Sequence, residues 1–182
     1  MGAPKKLRKT YERPGFMWEK QRIDEEHKIQ EKFGLKTLKE VWIAASELRR
    51  IRRRVREVLS GKASIEVGNQ IIARLVKYSV VNSGATLDDL LIINTDSLLG
   101  RRLQTIVFNR GMAKSPKQAR QFITHGFIAI NGKRVTAPGY MVPGADENKI
   151  SYYKPIKMET PLVTKTESAK PAEEVKEQPV AQ

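Results

Sequence analysis

The chain has 182 residues, no cysteine, 34 Lys and Arg against 20 Asp and Glu, a formal net charge of +14 and a pI near 10.1. That length allows one large or two small domains with modest cores, and the absence of thiols excludes disulfides and thiolate metal sites. The charge calls for a polyanionic partner, nucleic acid or an anionic membrane, but no apolar run approaches the roughly 20 residues that span a bilayer and MGAPKKLRK has no apolar signal core.

The charge is unevenly placed. Residues 1–60 hold 17 basic and nine acidic side chains, 61–95 three and three, 96–157 eleven and three, and 158–182 three and five. Two basic blocks therefore flank a neutral segment and precede a mildly acidic tail.

Residues 1–18 are expected to form an extended basic arm carrying Lys5, Lys6, Arg8 and Lys9, because Pro4, Pro14 and Gly15 discourage a long helix. Tyr11, Phe16 and Trp18 interleave with these cations. Phe16 and Trp18 are read as docking the arm on the core, with stacking on exposed bases as the alternative. A charged helix facing solvent or a polyanion is expected from Glu19 to Phe33, with Gly34 as its stop; His27 has no partner at ligand spacing and reads as a surface residue.

Thr37-Leu38-Lys39-Glu40 spells a capping box, and Leu38, Val41, Trp42, Ala45, Leu48, Val55 and Leu59 then recur at helical spacing as far as Ser60-Gly61. Arg49, Arg50, Arg52, Arg53, Arg54 and Arg56 crowd the second half of this helix. Glu47 and Glu57 could neutralise two of them at most, so a phosphate backbone is the partner that would relieve their repulsion. An apolar helix from Ile65 to Val81 is expected to fill the core, followed by a short capped helix between Thr86 and Ile93.

Asn94 or Thr95 can cap the next segment. There SLLGRRLQTIVFNRG places Leu99, Leu103, Ile106 and Val107 on one stripe and Arg101, Arg102, Thr105 and Asn109 mostly on the other, with Gly111 as its cap. Lys114 then precedes Ser115-Pro116-Lys117-Gln118, which has a capping residue, a proline at the first helical position and a glutamine able to reach back to the cap's N–H. Ala119, Phe122 and Ile123 form the apolar side of this helix, Lys117, Arg120, Gln121 and Thr124 the polar one. His125 stands at its end, suited either to the helix dipole or to a phosphate, and Gly126 closes it. Asn131-Gly132 between Ile128-Ala129-Ile130 and Lys133-Arg134-Val135 is a two-residue hairpin signal, and Ile150–Tyr153 a last strand. Residues 158–182 lack apolar periodicity and are expected to be disordered.

The run RRLQTIVFNRGMAKSPKQARQFITHGFIAINGKRVTAPGYMV closely resembles the RNA-binding module of the small-subunit ribosomal protein four family, in its archaeal form, and the resemblance extends over the chain as far as Tyr153. It implies an α+β, mainly helical fold. A basic arm (1–18) and a helical rRNA-binding region (19–95) lead to a compact module of two helices packed on a small antiparallel sheet (96–157), with a disordered tail (158–182). It further implies a structural, non-catalytic constituent of the cytoplasmic ribosome. Such a protein binds 16S rRNA, nucleates assembly of the subunit body, adjoins ribosomal protein five and contributes to translational accuracy. The residues expected to bind the RNA are Lys5, Lys6, Arg8 and Lys9 of the arm, the six arginines from Arg49 to Arg56, and Arg101, Arg102, Lys114, Lys117, Arg120, Lys133 and Arg134 of the second basic block. Neither a cofactor, a small-molecule substrate nor a membrane partner is implied. Some bacterial members carry an N-terminal cysteine cluster that binds metal; this chain has none, and a metal role falls with it. An RNA-modifying enzyme would need a catalytic domain that no motif supplies, whereas a free RNA chaperone or translational regulator would use the same surface.

Overall fold

The computed structural model describes residues 9–154, so the expectations for Lys5, Lys6, Arg8 and the 158–182 tail fall outside the described residues. The elements are α1 (Lys20–Phe33), α2 (Leu38–Leu59), α3 (Ile65–Lys77), α4 (Asp89–Ile92), α5 (Thr95–Gly100), α6 (Leu103–Asn109), α7 (Pro116–Thr124), β1 (Ile128–Ile130), β2 (Lys133–Arg134), a 3-10 turn (Gly144–Lys149) and β3 (Ile150–Tyr152). The mainly helical α+β class is as the sequence implies. No helix among the described residues is long and apolar enough to cross a membrane.

Three apolar clusters organise the chain. Val55 of α2, Leu75 of α3 and Leu90 of α4 form one; Phe33, Leu35, Val41 and Leu99 form a second where α1, α2 and α5 meet. The third and largest packs Leu103, Ile106 and Val107 of α6 with Ala119 and Ile123 of α7 against Ile128, Ile130 and Ile150 of the sheet. The sheet order is β2-β1-β3, both pairings antiparallel, with Ala129 opposite Arg134 and Ile130 opposite Ile150. Asn131 and Gly132 have φ of 52° and 74°, the double left-handed turn that their sequence predicts.

Some expectations are corrected by tertiary contacts. The stripe from Ser97 to Gly111 is not one helix. It breaks at Arg101–Arg102 because the chain there pairs with Met141: the Val142 N–H donates to the Arg101 carbonyl at 3.1 Å and the Leu103 N–H to the Tyr140 carbonyl at 2.8 Å. The break resets the helical phase, so Thr105 is buried, its Oγ1 donating to the Leu99 carbonyl at 2.9 Å. α3 ends at Lys77, four residues before Val81, where Ser79 takes a positive φ of 50°; Val80 and Val81 still pack on the α2–α4 cluster. The α4 helix is likewise shorter than expected, and its Asp89 carboxylate accepts the Thr86 N–H and Oγ1 at 2.8 and 2.9 Å.

The capping box at Thr37 is not formed. Thr37 occupies the N-cap position of α2 without a side-chain bond, and Glu40 turns away from it toward Arg102 and Arg120. At Ser115 the cap does form, its Oγ accepting the Gln118 N–H at 3.2 Å, while Gln118 Oε1 accepts the N–H of Lys114, one residue before the cap.

Candidate nucleic-acid interface

Burial of Val41, Leu48, Val55 and Val58 fixes the orientation of α2 and leaves Arg49, Arg50, Arg53, Arg54 and Arg56 exposed, with Arg52 half-buried. Their neighbours partly meet them. Glu57 accepts from Arg53 at 3.2 Å and Arg54 at 3.3 Å; Glu12 pairs with Arg49 at 2.5 Å; Arg52 and Arg56 donate to the carbonyls of Ile93 and Arg52. These exposed pairs contribute little to stability, and the excess of positive charge remains.

The arm segment completes this surface. Tyr11 lies on Trp42, ring centroids 6.0 Å apart and tilted by 39°, and the Glu12 N–H donates to Ser46 Oγ at 3.0 Å. Lys9 is thereby brought beside Arg49, Arg50, Arg53 and Arg56 around a cleft of about 310 Å³. Phe16 and Trp18 do not dock the arm: they are 82% and 92% exposed, and Tyr11 does the docking instead. A second cleft of about 340 Å³ brings Arg74 of α3 together with Arg50 and Arg54, Glu47 holding Arg74 at 3.2 Å. Arg74 escapes sequence reasoning because it lies in the electrically neutral segment; its exposed position on α3, next to the buried Leu75, is the signal that could have found it.

On the module, Lys114, Lys117, Lys133 and Arg134 are exposed. Arg134 lays its aliphatic stem over Gly126, where a Cβ would stand 2.8 Å from Arg134 Cδ, so this glycine serves both the left-handed helix stop and the arginine's placement. His125 is exposed and stacks on Phe127 at 6.4 Å. Lys117 also borders a cleft of α1 and the following loop lined by His27, Gln30, Lys36 and Arg120, so it joins the N-terminal helices to the module face.

The remaining predicted arginines turn inward. Arg101 pairs with Glu147 at 2.9 Å, Arg102 with Glu40 at 2.6 Å and Arg120 with Glu40 at 3.0 Å, their side chains 16%, 12% and 24% exposed. Burial raises the pKa of the Glu40 carboxyl, but the hydrogen bonds from Arg120 and Arg102 and their charges outweigh it and hold the group below the usual carboxylate range. Beside it the buried Gln104 amide nitrogen donates to the carbonyls of Phe33, Gly34 and Pro116 at 3.1, 2.9 and 3.0 Å. Gly34 permits that approach: it has φ of 60°, and a Cβ there would stand 2.6 Å from Pro116 Cβ. Glu40 and Gln104 thus fasten α1 and α2 to α6 and α7, and the Lys32–Asp96 pair at 2.5 Å adds a surface tie.

No group of three or more His, Cys, Asp or Glu among the described residues is placed to hold a metal ion. What the surface offers is cationic side chains on rigid supports, suited to phosphate oxygens.

The S4 domain family model matches residues 101–148, from the break before α6 through the hairpin to the 3-10 turn. Over 154 residues the chain is 47% identical to small ribosomal subunit protein uS4 of Ignicoccus hospitalis, covering 84% of this chain and 93% of that protein. This chain belongs to the uS4 family of small ribosomal subunit proteins. The uS4 protein of Methanothermobacter thermautotrophicus is 42% identical over 176 residues, covering 95% of this chain and all of that one. That of Thermoplasma volcanium is 43% identical over 185 positions, covering 98% and 92%. The uS4 family is structural and non-enzymatic, and this member is a structural small-subunit protein that binds rRNA.

Proposed function

We propose that this uS4 chain acts as a two-sided clamp on 16S rRNA. Lys9, Arg49, Arg50, Arg53, Arg54, Arg56 and Arg74 grip phosphates on one side; Lys114, Lys117, Lys133 and Arg134 grip them on the other. Lys5, Lys6 and Arg8, outside the described residues, add cationic charge to the RNA-binding set. Arg102 and Arg120 serve mainly to hold the two sides together through Glu40, Arg101 braces the module internally against Glu147 and the Val142 carbonyl, and Arg52 braces α2. The observation that carries this reading is the Glu40–Gln104 junction, which ties two cationic surfaces into a single rigid support before any ligand arrives. Pre-positioned charges lose less freedom on binding and read the shape of converging RNA strands more than their sequence.

A clamp of this kind suits a protein that binds 16S rRNA early and nucleates assembly of the subunit body, with residues 19–95 and 96–157 as the two rRNA-binding regions. Family membership supports contact with ribosomal protein five, a contribution to translational accuracy and a cytoplasmic location in the ribosome. The test is binding of the full chain to 16S rRNA fragments, with single fragments compared against the intact junction. Tighter binding of the intact junction than of any fragment is expected; equal affinity for a lone RNA helix would refute the clamp.

A further inference from the structure

We infer that Phe16 and Trp18 form a stacking platform for unpaired RNA bases, an inference that rests on the RNA-binding reading above. The two rings are 82% and 92% exposed, with Met17 between them 49% exposed. Isolated exposed apolar residues need no explanation, but this tripeptide is held in place from below. Arg22 of α1 donates to the carbonyls of Phe16 and Met17 at 3.1 and 3.0 Å, and is itself held by Glu26 at 2.6 Å; the Arg22 and Glu26 side chains are 21% and 12% exposed. The backbone is fastened by a half-buried ion pair while the rings bear no load in the fold. A rigid backbone presenting free π faces has already lost the conformational freedom that binding would otherwise remove.

The surroundings select the occupant. Along the chain Lys9, Arg13 and Lys20 flank the tripeptide, Glu19 beside Trp18 stands 3.8 Å from Arg22, Glu12 is engaged by Arg49, and the arginine-lined cleft begins four residues upstream at Glu12. A backbone tracked by that cleft and bases laid on the rings is the usual pairing of cations with aromatics on single strands. A second copy of this chain, itself carrying a net charge of +14, would be repelled from the same place. Duplex RNA keeps its bases stacked inside and offers the rings only its edges.

The test uses the full chain with Trp42→Phe, which leaves Trp18 as the single indole, titrated with a short oligoadenylate and with a blunt RNA duplex at equal salt. Stacking predicts that Trp18 emission is quenched by the oligoadenylate and not by the duplex. Trp18→Ala is expected to weaken oligoadenylate binding roughly tenfold, equivalent to about 1.4 kcal/mol, with the salt slope unchanged and Trp18→Tyr restoring most of the loss. Full-strength, salt-dependent RNA binding with unquenched Trp18 and unaltered Trp18→Ala affinity would overturn the platform and leave the clamp standing. Loss of all RNA binding by the parent chain would instead refute the clamp, and the platform with it. Restoration by Trp18→Leu as complete as by Trp18→Tyr would show that no aromatic face is needed, and a blue shift of Trp18 emission with dimer formation in the absence of RNA would assign the patch to a protein contact; either overturns the inference.

Discussion

Replacing Glu40 with Gln is the most demanding test of how the molecule is held together. The carboxylate is 16% exposed and meets Arg102 at 2.6 Å and Arg120 at 3.0 Å, so the substitution leaves two half-buried guanidinium groups facing a neutral amide. Removing one partner from a fully buried pair costs about 3–5 kcal/mol. The residual exposure and the new amide's own hydrogen bonding bring the expectation to about 2–4 kcal/mol. For a chain of this length that is a fall in Tm of about 4–16 °C. Thermal melts of the full chain at pH 7 read this directly, and a double-mutant cycle with Arg120→Gln isolates the pair, with a coupling of roughly 1–3 kcal/mol expected. The pH dependence has a fixed sign. A carboxyl depressed in the folded state contributes stability above its ordinary value of 4.5, and that contribution is lost as the pH falls through the lowered folded value. The parent therefore loses its margin over Glu40→Gln in acid, and the two melting curves converge. A variant melting within about 1 °C of the parent, or two pH profiles that stay parallel, would show that the pair is worth no more than a surface ion pair.

Lys117→Gln is expected to leave Tm unchanged while weakening RNA binding by about 1–3 kcal/mol, whereas Arg120→Gln lowers Tm, so melting and filter binding separate the two neighbours on α7. With six or more phosphates engaged, affinity for 16S rRNA should fall roughly a thousandfold or more between about 50 and 200 mM monovalent salt, taking duplex DNA as the guide; a flat titration counts against the clamp. Gln104→Leu deprives three backbone carbonyls of their donor and is expected to cost about 2–4 kcal/mol in urea unfolding, with m unchanged. Ile123→Ala, at a fully buried position, is expected to cost about 3–5 kcal/mol, and Phe122→Ala less, because Phe122 is only partly buried.

Local chemistry was legible wherever it decides the outcome by itself. Gly34 stops α1, Ser115-Pro116 starts α7 and Asn131-Gly132 turns the hairpin, each because few other residues tolerate that backbone or supply that cap. Legibility failed where a distant partner outbid a near one. Glu40 has the spacing of a capping box, yet two guanidiniums form a stronger association than one backbone N–H. The Arg101–Arg102 break answers to Met141, forty residues away, and no helical period can announce it. The candidate surface divides in the same way. The exposure of most α2 arginines follows from their density, while nothing in the sequence sets Arg102 and Arg120 apart, because it does not show which side of a helix a half-buried carboxylate will approach. Phe16 and Trp18 depart from the usual fate of large aromatics because Arg22 secures their backbone without the rings.

The fastening at Glu40 and Gln104 also orders events in time. Its contacts close separations of 62 residues from Glu40 to Arg102, 80 from Glu40 to Arg120 and 70 from Gly34 to Gln104. During synthesis from the N-terminus, α1 and α2 are complete long before α6 and α7 exist, and until then they carry an unanswered carboxylate and a helix end whose last carbonyls lack their donor. Local helix formation can proceed early, but the final arrangement of the first two helices waits for the C-terminal half of the described chain, placing the slow, non-local part of folding at this one seam.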